Sequence, residues 1–398
     1  MQKTFHVVVM LLSALCAVIG QTVVVQPAQA APRQIVLVVA EGLNPQLVDF
    51  GTAYVKTAFE QGATVAFDEL KAQGKAQPAG AEALAGLKGI LKTAAANGYK
   101  TGLVTTEDVT KTAPLFFDLP EGEGGANSLV QGTTFDIIAG GGRSHFMEAK
   151  KAWTDAGNSA LFDTEAMDQE LKGKTLALQS DAALGYALDR DPDKEASFAE
   201  LVTLALQALS ADDAPFILVV HDTLLTRALA AKDTPAAMEQ YRELDAIIAD
   251  ILGTREGLEK PENFGLAVLA TGGATVPRFT TELPNERSDA FYILSGLPLS
   301  YAKAGLTLEK ADEAKLAAFS DPATGKYKGW KLSAENRAAL LAGTMTPEAA
   351  LRASYEPALK ISFEPVTAQP MLYTVGLDVA GDLAQTLRMI ASAKPAGQ

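Results

Sequence analysis

The sequence predicts an α/β fold: a mostly parallel central sheet flanked by helices on both faces, with a helical subdomain inserted late in the chain. Short runs rich in branched apolar residues read as strands buried on both faces, as parallel sheets require. Segments with apolar residues at three- and four-residue spacing lie between them, so strand and helix alternate. With 48% hydrophobic and 21% charged residues over 398 positions, the chain can close a large core without disulfides.

Met1 to His6 carries Lys3, Val7 to Ile19 is almost wholly apolar, and Ala28-Gln29-Ala30 supplies small residues at the two positions a signal peptidase reads. Residues 1–30 are therefore expected to be a secretory signal peptide, with the periplasm or the cell exterior as destination. The apolar run of about thirteen residues is shorter than the roughly twenty that span a bilayer, so no transmembrane span is expected after cleavage. An uncleaved anchor extended through Val23 to Val25 is the alternative. Cys16 suggests a lipid anchor, but Leu15 stands where a small residue is wanted. Cleavage removes the only cysteine and leaves two histidines, His145 and His221.

The expected core, residues 31–277, opens with a strand at Ile35 to Val39. Pro78 to Asn97 is rich in Ala and Leu, begins with a proline suited to a first turn and stops at Gly98, which predicts one long helix. Gly102 to Thr105 and Phe135 to Ala139 are the next strands, and Gly140 to Gly142 reads as a tight turn. Ala196 to Leu209 and Pro235 to Leu252 are amphipathic helices around a strand at Pro215 to Val220. Leu266 to Ala270 closes the series. Residues 278–361 change to helical pieces and turns, with Thr346 before Pro347 and Glu348 marking a helix start. Residues 362–398 return to the core through a strand at Pro370 to Tyr373 and a helix at Ala380 to Ala391. In such a sheet, functional residues gather beyond the carboxyl ends of the strands.

The formal charge is −14 and the pI near 4.8. A surface so acidic repels a polyphosphate backbone, so no nucleic acid partner is expected.

Several blocks together resemble the alkaline phosphatases. Ile35 to Gly42 is similar to that family's first strand and its Asp-Gly turn. Gly98 to Thr106 followed by Val109 to Pro114, and Phe135 to Arg143, resemble its next two blocks. Phe216 to Asp233 and Leu266 to Thr275 fall where two metal-ligand strands stand. The resemblance implies the same fold and a chemistry that needs a serine nucleophile, two zinc ions, a magnesium ion and a phosphate-clamping arginine. In it, metals activate the nucleophile and neutralise the transferring phosphoryl group.

Position by position, the resemblance also implies that this machinery is incomplete. The metal-bridging Asp falls on Glu41, and the nucleophile block on residues 75–80, which contain no serine. Lys111 and Ala113 occupy a His/Asp position and the magnesium hydroxyl position. The magnesium glutamate becomes His221, and the zinc Asp and two His become Thr226, Arg227 and Ala230. The next Asp-His pair becomes Gly272 and Gly273, and the last zinc histidine falls approximately on Glu364. No arginine lies between Gly42 and Gly142. A zinc site needs three or four nitrogen, sulfur or carboxylate ligands, so no zinc cofactor is expected. Weak magnesium or calcium held by carboxylates stays open.

The expected function is that of an exported pseudophosphatase acting as a binding or structural protein, with no catalytic residue. Its residual pocket is Glu41, Lys111, His221, Asp222, Thr226, Arg227 and Glu364. The expected arrangement pairs the Lys111 ammonium with Glu41 in place of a metal, with Arg227 serving the emptied zinc side. His221 is either a pocket base or a hydrogen-bonded structural group, and His145 reads as structural. The partner is a small anion at Lys111 and Arg227, or an unknown protein at Arg278 to Ile361. The alternative is a divergent phosphate or sulfate ester hydrolase using Glu41, Asp222 and His221 with a hard cation, with Thr105, Thr106 or Thr226 as nucleophile.

Overall fold

A computed structural model describes residues 32–59, 65–121, 123–212, 214–320, 331–379 and 382–392. The expected signal peptide lies outside the described residues.

β1 (Gln34–Ala40) is buried along nearly its whole length, and its side chains divide by the two-residue period of a strand. Val36, Val38 and Ala40 enter one core layer, and Ile35, Leu37 and Val39 the other. After it come α1 (Pro45–Ala58), α2 (Ala66–Gln73) and the short strand β2 (Lys75–Pro78). Asn44 caps α1 by accepting the Leu47 N–H, and Pro45 sets its first turn.

The long helix expected over Pro78 to Asn97 does not form. Pro78 ends β2, which pairs with a strand some three hundred residues later, and turns with a single 3-10 turn follow up to Gly89. Gly89 takes a left-handed φ of 70°, so only α3 (Ile90–Ala96) remains helical. Gly98 does end it, with φ of 90°.

β3 (Lys100–Asp108), α4 (Val109–Phe117), α5 (Glu123–Gln131), β4 (Ile137–Gly141), α6 (Lys150–Asp155), β5 (Ser159–Leu161) and β6 (Thr175–Leu178) build one half of the sheet. α7 (Phe198–Ser210) opens with a reciprocal Ser197–Glu200 capping box. β7 (Phe216–Asp222), α8 (Leu224–Ala230), α9 (Thr234–Glu256) and β8 (Phe264–Ala270) follow. The nine-stranded order is β2, β11 (Met371–Val375), β8, β1, β7, β3, β4, β6, β5. Every pairing is parallel except those of β11, which runs against both neighbours.

α7 and α9 cover one face through Leu201, Leu244 and Ile248. α3, α4 and α15 (Leu383–Ser392) cover the other through Leu91, Phe116 and Leu387. Between β8 and β11 the chain forms an antiparallel ribbon of β9 (Thr275–Phe279) and β10 (Ile361–Pro365). It encloses α10 (Pro284–Ser295), α11 (Tyr301–Thr307), α12 (Glu313–Ser320), α13 (Ala334–Leu341) and α14 (Pro347–Leu359). Phe279 and Phe291 pack on Phe50 of α1 with ring centroids 5.1 and 5.3 Å away. The same apolar layer therefore continues from the sheet into these helices.

Candidate functional site

Because the central strands run parallel, Ala40, Asp222, Asp108 and Ala270 all emerge at one edge of the sheet. Register then fixes who meets whom. Ala40 lies beside Asp222, and His221 lies between Val39 and Thr105. Consecutive residues of β7 point to opposite faces, so His221 and Asp222 serve different environments.

His221 Nε2 lies 2.8 Å from Glu41 Oε1. The ring is buried, with Phe116 edge-on at 5.8 Å, while Glu41 is 31% exposed and faces out of the sheet edge. On the other side of the ring, the Thr105 hydroxyl stands 3.5 Å from Nδ1 and hydrogen-bonds the Thr112 hydroxyl at 3.2 Å. Thr105 is wholly buried, so its oxygen orients the ring and has no open face for attack on a substrate.

Asp222 is wholly buried. Its Oδ1 accepts from Leu224 N at 2.9 Å and from the Thr106 hydroxyl at 3.2 Å, while Oδ2 has no hydrogen-bond partner. Burial pushes its carboxyl up to about 6, with the nearby Glu243 carboxylate adding to the rise and the Leu224 N–H opposing it.

The expected Lys111–Glu41 pair is replaced by a different arrangement. Lys111 is largely exposed and reaches Glu107 at 3.4 Å. Arg227 donates from Nη2 to the other Glu107 oxygen at 2.9 Å. Helix phase explains the difference: α4 buries Val109, Thr110, Thr112 and Ala113 and turns residue 111 outward. Glu41 takes His221 as its partner, and Glu107 gathers both cations. Glu107 was missed by sequence reasoning, because it lies near the end of β3 while Lys111 lies on α4, and their meeting depends on the turn from strand to helix. Glu364 stands on the β9–β10 ribbon and pairs with Arg278 at 2.9 Å. His145 Nε2 is bound 3.0 Å from Asp108 Oδ2, and Asp108 also caps α4 through Thr110 N.

Backbone fills the space between β1, α8 and β8. A Cβ on Gly273 would lie 2.7 Å from the Gly42 carbonyl oxygen. One on Gly272, whose φ is +83°, would lie 2.8 Å from the Ala368 carbonyl oxygen. Gly42, at φ +86°, itself sits with its missing Cβ 2.8 Å from the Thr226 Cα. Ala79 and Gly80 follow β2 at the same edge of the sheet, but β11 and β8 intervene, a separation of three strand spacings or roughly 14 Å from β1.

No family model matches the chain. It is 25% identical over 276 residues to alkaline phosphatase 4 of Bacillus subtilis (strain 168), covering 61% of this chain and 59% of that one. It is 26% identical over 172 residues to alkaline phosphatase 3 of the same organism, covering 40% and 37%. The chain thus matches less than two thirds of the length of either relative. Among solved structures, the cold-active alkaline phosphatase of a psychrophilic Shewanella superposes with a TM-score of 0.70 at 18% identity, over 91% of this chain and 100% of that one. The Thermus thermophilus alkaline phosphatase gives 0.70 at 17% identity, over 92% of each.

This chain is similar in sequence and in fold to alkaline phosphatases. Its fold is alkaline phosphatase-like, and the strand ends at which the resemblance sets metal ligands are those that meet around Glu41. At those ends this relative carries a histidine–carboxylate contact, a buried acid and a pair of glycines. Ala113, at the magnesium hydroxyl position of the alkaline phosphatase resemblance, is fully buried in the apolar layer with Phe116.

Proposed function

We propose that this protein is an exported, metal-independent member of the phosphatase fold, serving as a binding or structural protein and transferring no phosphoryl group. The observation that carries the reading is the contact of Gly273 with the Gly42 carbonyl, together with Gly272 against Ala368. A liganding side chain at either position meets backbone, which cannot swing aside as a flexible side chain can. Thr226, Arg227, Ala230 and Ala113, at further ligand positions of the resemblance, do not fit a zinc or magnesium centre either. Glu41 already has a hydrogen-bond partner in His221. Export rests on Lys3, the apolar run and the Ala28 to Ala30 site, and among the described residues no helix is long and apolar enough to cross a membrane.

A hydrolase using a hard cation is the second reading, favoured by the unpartnered Asp222 Oδ2. One experiment separates them. The chain recovered from the periplasm, beginning at Ala31, is assayed for metal content and for phosphomonoester and sulfate ester hydrolysis with added zinc and magnesium. We expect no stoichiometric metal and no turnover. Bound metal with turnover abolished by Glu41→Ala sinks the proposal in favour of the hydrolase.

A further inference from the structure

We propose that the cavity beside α8 binds a small organic anion with an apolar body. The cavity measures about 730 Å³ and opens between residues 184–195, the start of α8 and the turn leading into α11. Small-molecule sites typically enclose about 300–1,000 Å³. Leu184, Leu188, Leu224 and Leu299 supply apolar walls, which favour an organic body over a bare hydrated ion.

The polar groups lining the cavity decide the sign of the ligand's charge. The acceptors are already engaged. Asp189 takes the Ser300 N–H at 2.8 Å on one oxygen and the Ser300 hydroxyl at 2.6 Å on the other. Glu195 accepts from Gly185 N at 2.8 Å and lies 3.5 Å from Arg190. The Arg190 guanidinium is spent as well, bound to both oxygens of Glu243 and to the Gly185 carbonyl.

Donors remain. Among the described residues, the Lys303 ammonium and the Tyr186 hydroxyl make no hydrogen bond or salt bridge, and Arg227 commits only Nη2, to Glu107. Free donors beside satisfied acceptors select an acceptor-bearing head, a carboxylate, sulfate or phosphate. Glu41 and His221 do not line this cavity. The inference therefore stands apart from the loss of phosphoryl chemistry proposed above.

Calorimetric titration of the mature chain with phenyl phosphate and benzoate, with benzylamine and inorganic phosphate as controls, tests it. We expect saturable binding of the aromatic anions and none of benzylamine or inorganic phosphate. Binding weakens about tenfold in Lys303→Ala, since a charged hydrogen bond is removed, and a few-fold in Tyr186→Phe. It is unchanged in Glu41→Ala. Lys303 is exposed, so its variant keeps the fold, and a melting curve checks this. The proposal is overturned by any of three results: no binding of either anion up to about 10 mM, equal binding of benzylamine, or binding lost in Glu41→Ala and retained in Lys303→Ala. Release of phenol from phenyl phosphate in the same cell counts against the proposed function alone.

Discussion

Asp222 shows how a single carboxylate can work against the fold that holds it. Its carboxyl is pushed up to about 6 from an ordinary 3.8, chiefly by burial. The folded state therefore holds a proton that the unfolded chain has released between roughly pH 4 and 6. In that window stability falls as pH rises, and the ionised group costs on the order of 3 kcal/mol at pH 7. Asp222→Asn keeps an oxygen for Leu224 N and Thr106 and removes the charge. We expect it to melt higher than the wild type at pH 7.5, with the advantage shrinking toward pH 4.5; a gap constant with pH would contradict this. Glu41, His221 and Asp222 were legible as a group because strand ends follow from the apolar runs. Their actual contacts were not, since partner choice depends on which face each residue presents. Lys111 is the clearest instance: an aligned position says nothing of helix phase, and phase turns it outward to Glu107.

At the scale of elements, the parallel strands were readable because burial on both faces writes an unbroken apolar run into the sequence. The helix expected over Pro78 to Asn97 was not readable. Its Ala and Leu content suits a helix, but Gly86 and Gly89 punctuate it, and Pro78 belongs to a strand pairing with Met371, far beyond any local window. The glycine turn after β8 was legible as a missing ligand pair, yet its tight seat against β1 could appear only in three dimensions. We expect Gly273→His to lower stability by roughly 2–4 kcal/mol through overpacking against the Gly42 carbonyl, and to bind no zinc. Chemical denaturation and metal analysis of that variant check both halves. A tolerated histidine that brings zinc with it would mean that the loops separate easily.

Across the whole molecule, buried ion pairs fasten distant stretches of chain. Arg190, from the segment before α7, meets Glu243 of α9 with side chains only 6% and 9% exposed, and Glu243 also accepts from Phe198 N at the start of α7. Glu243→Gln leaves the buried Arg190 with only the more distant Glu195 carboxylate, 3.5 Å away, as counter-charge, and a urea midpoint lower by the equivalent of roughly 3 kcal/mol is expected. A change under about 0.5 kcal/mol, as for a surface pair, would show that water reaches the guanidinium. Composition announced a large core, but not this long-range pairing. The two margins of the sheet carry a further consequence. β2 has four residues, with Lys75 at one end and Pro78, which lacks an N–H, at the other, and β5 has three. A strand from a neighbouring molecule finds too few free amides on either flank to zip onto. Crowded copies of this protein are thereby kept from joining edge to edge through the nine-stranded sheet.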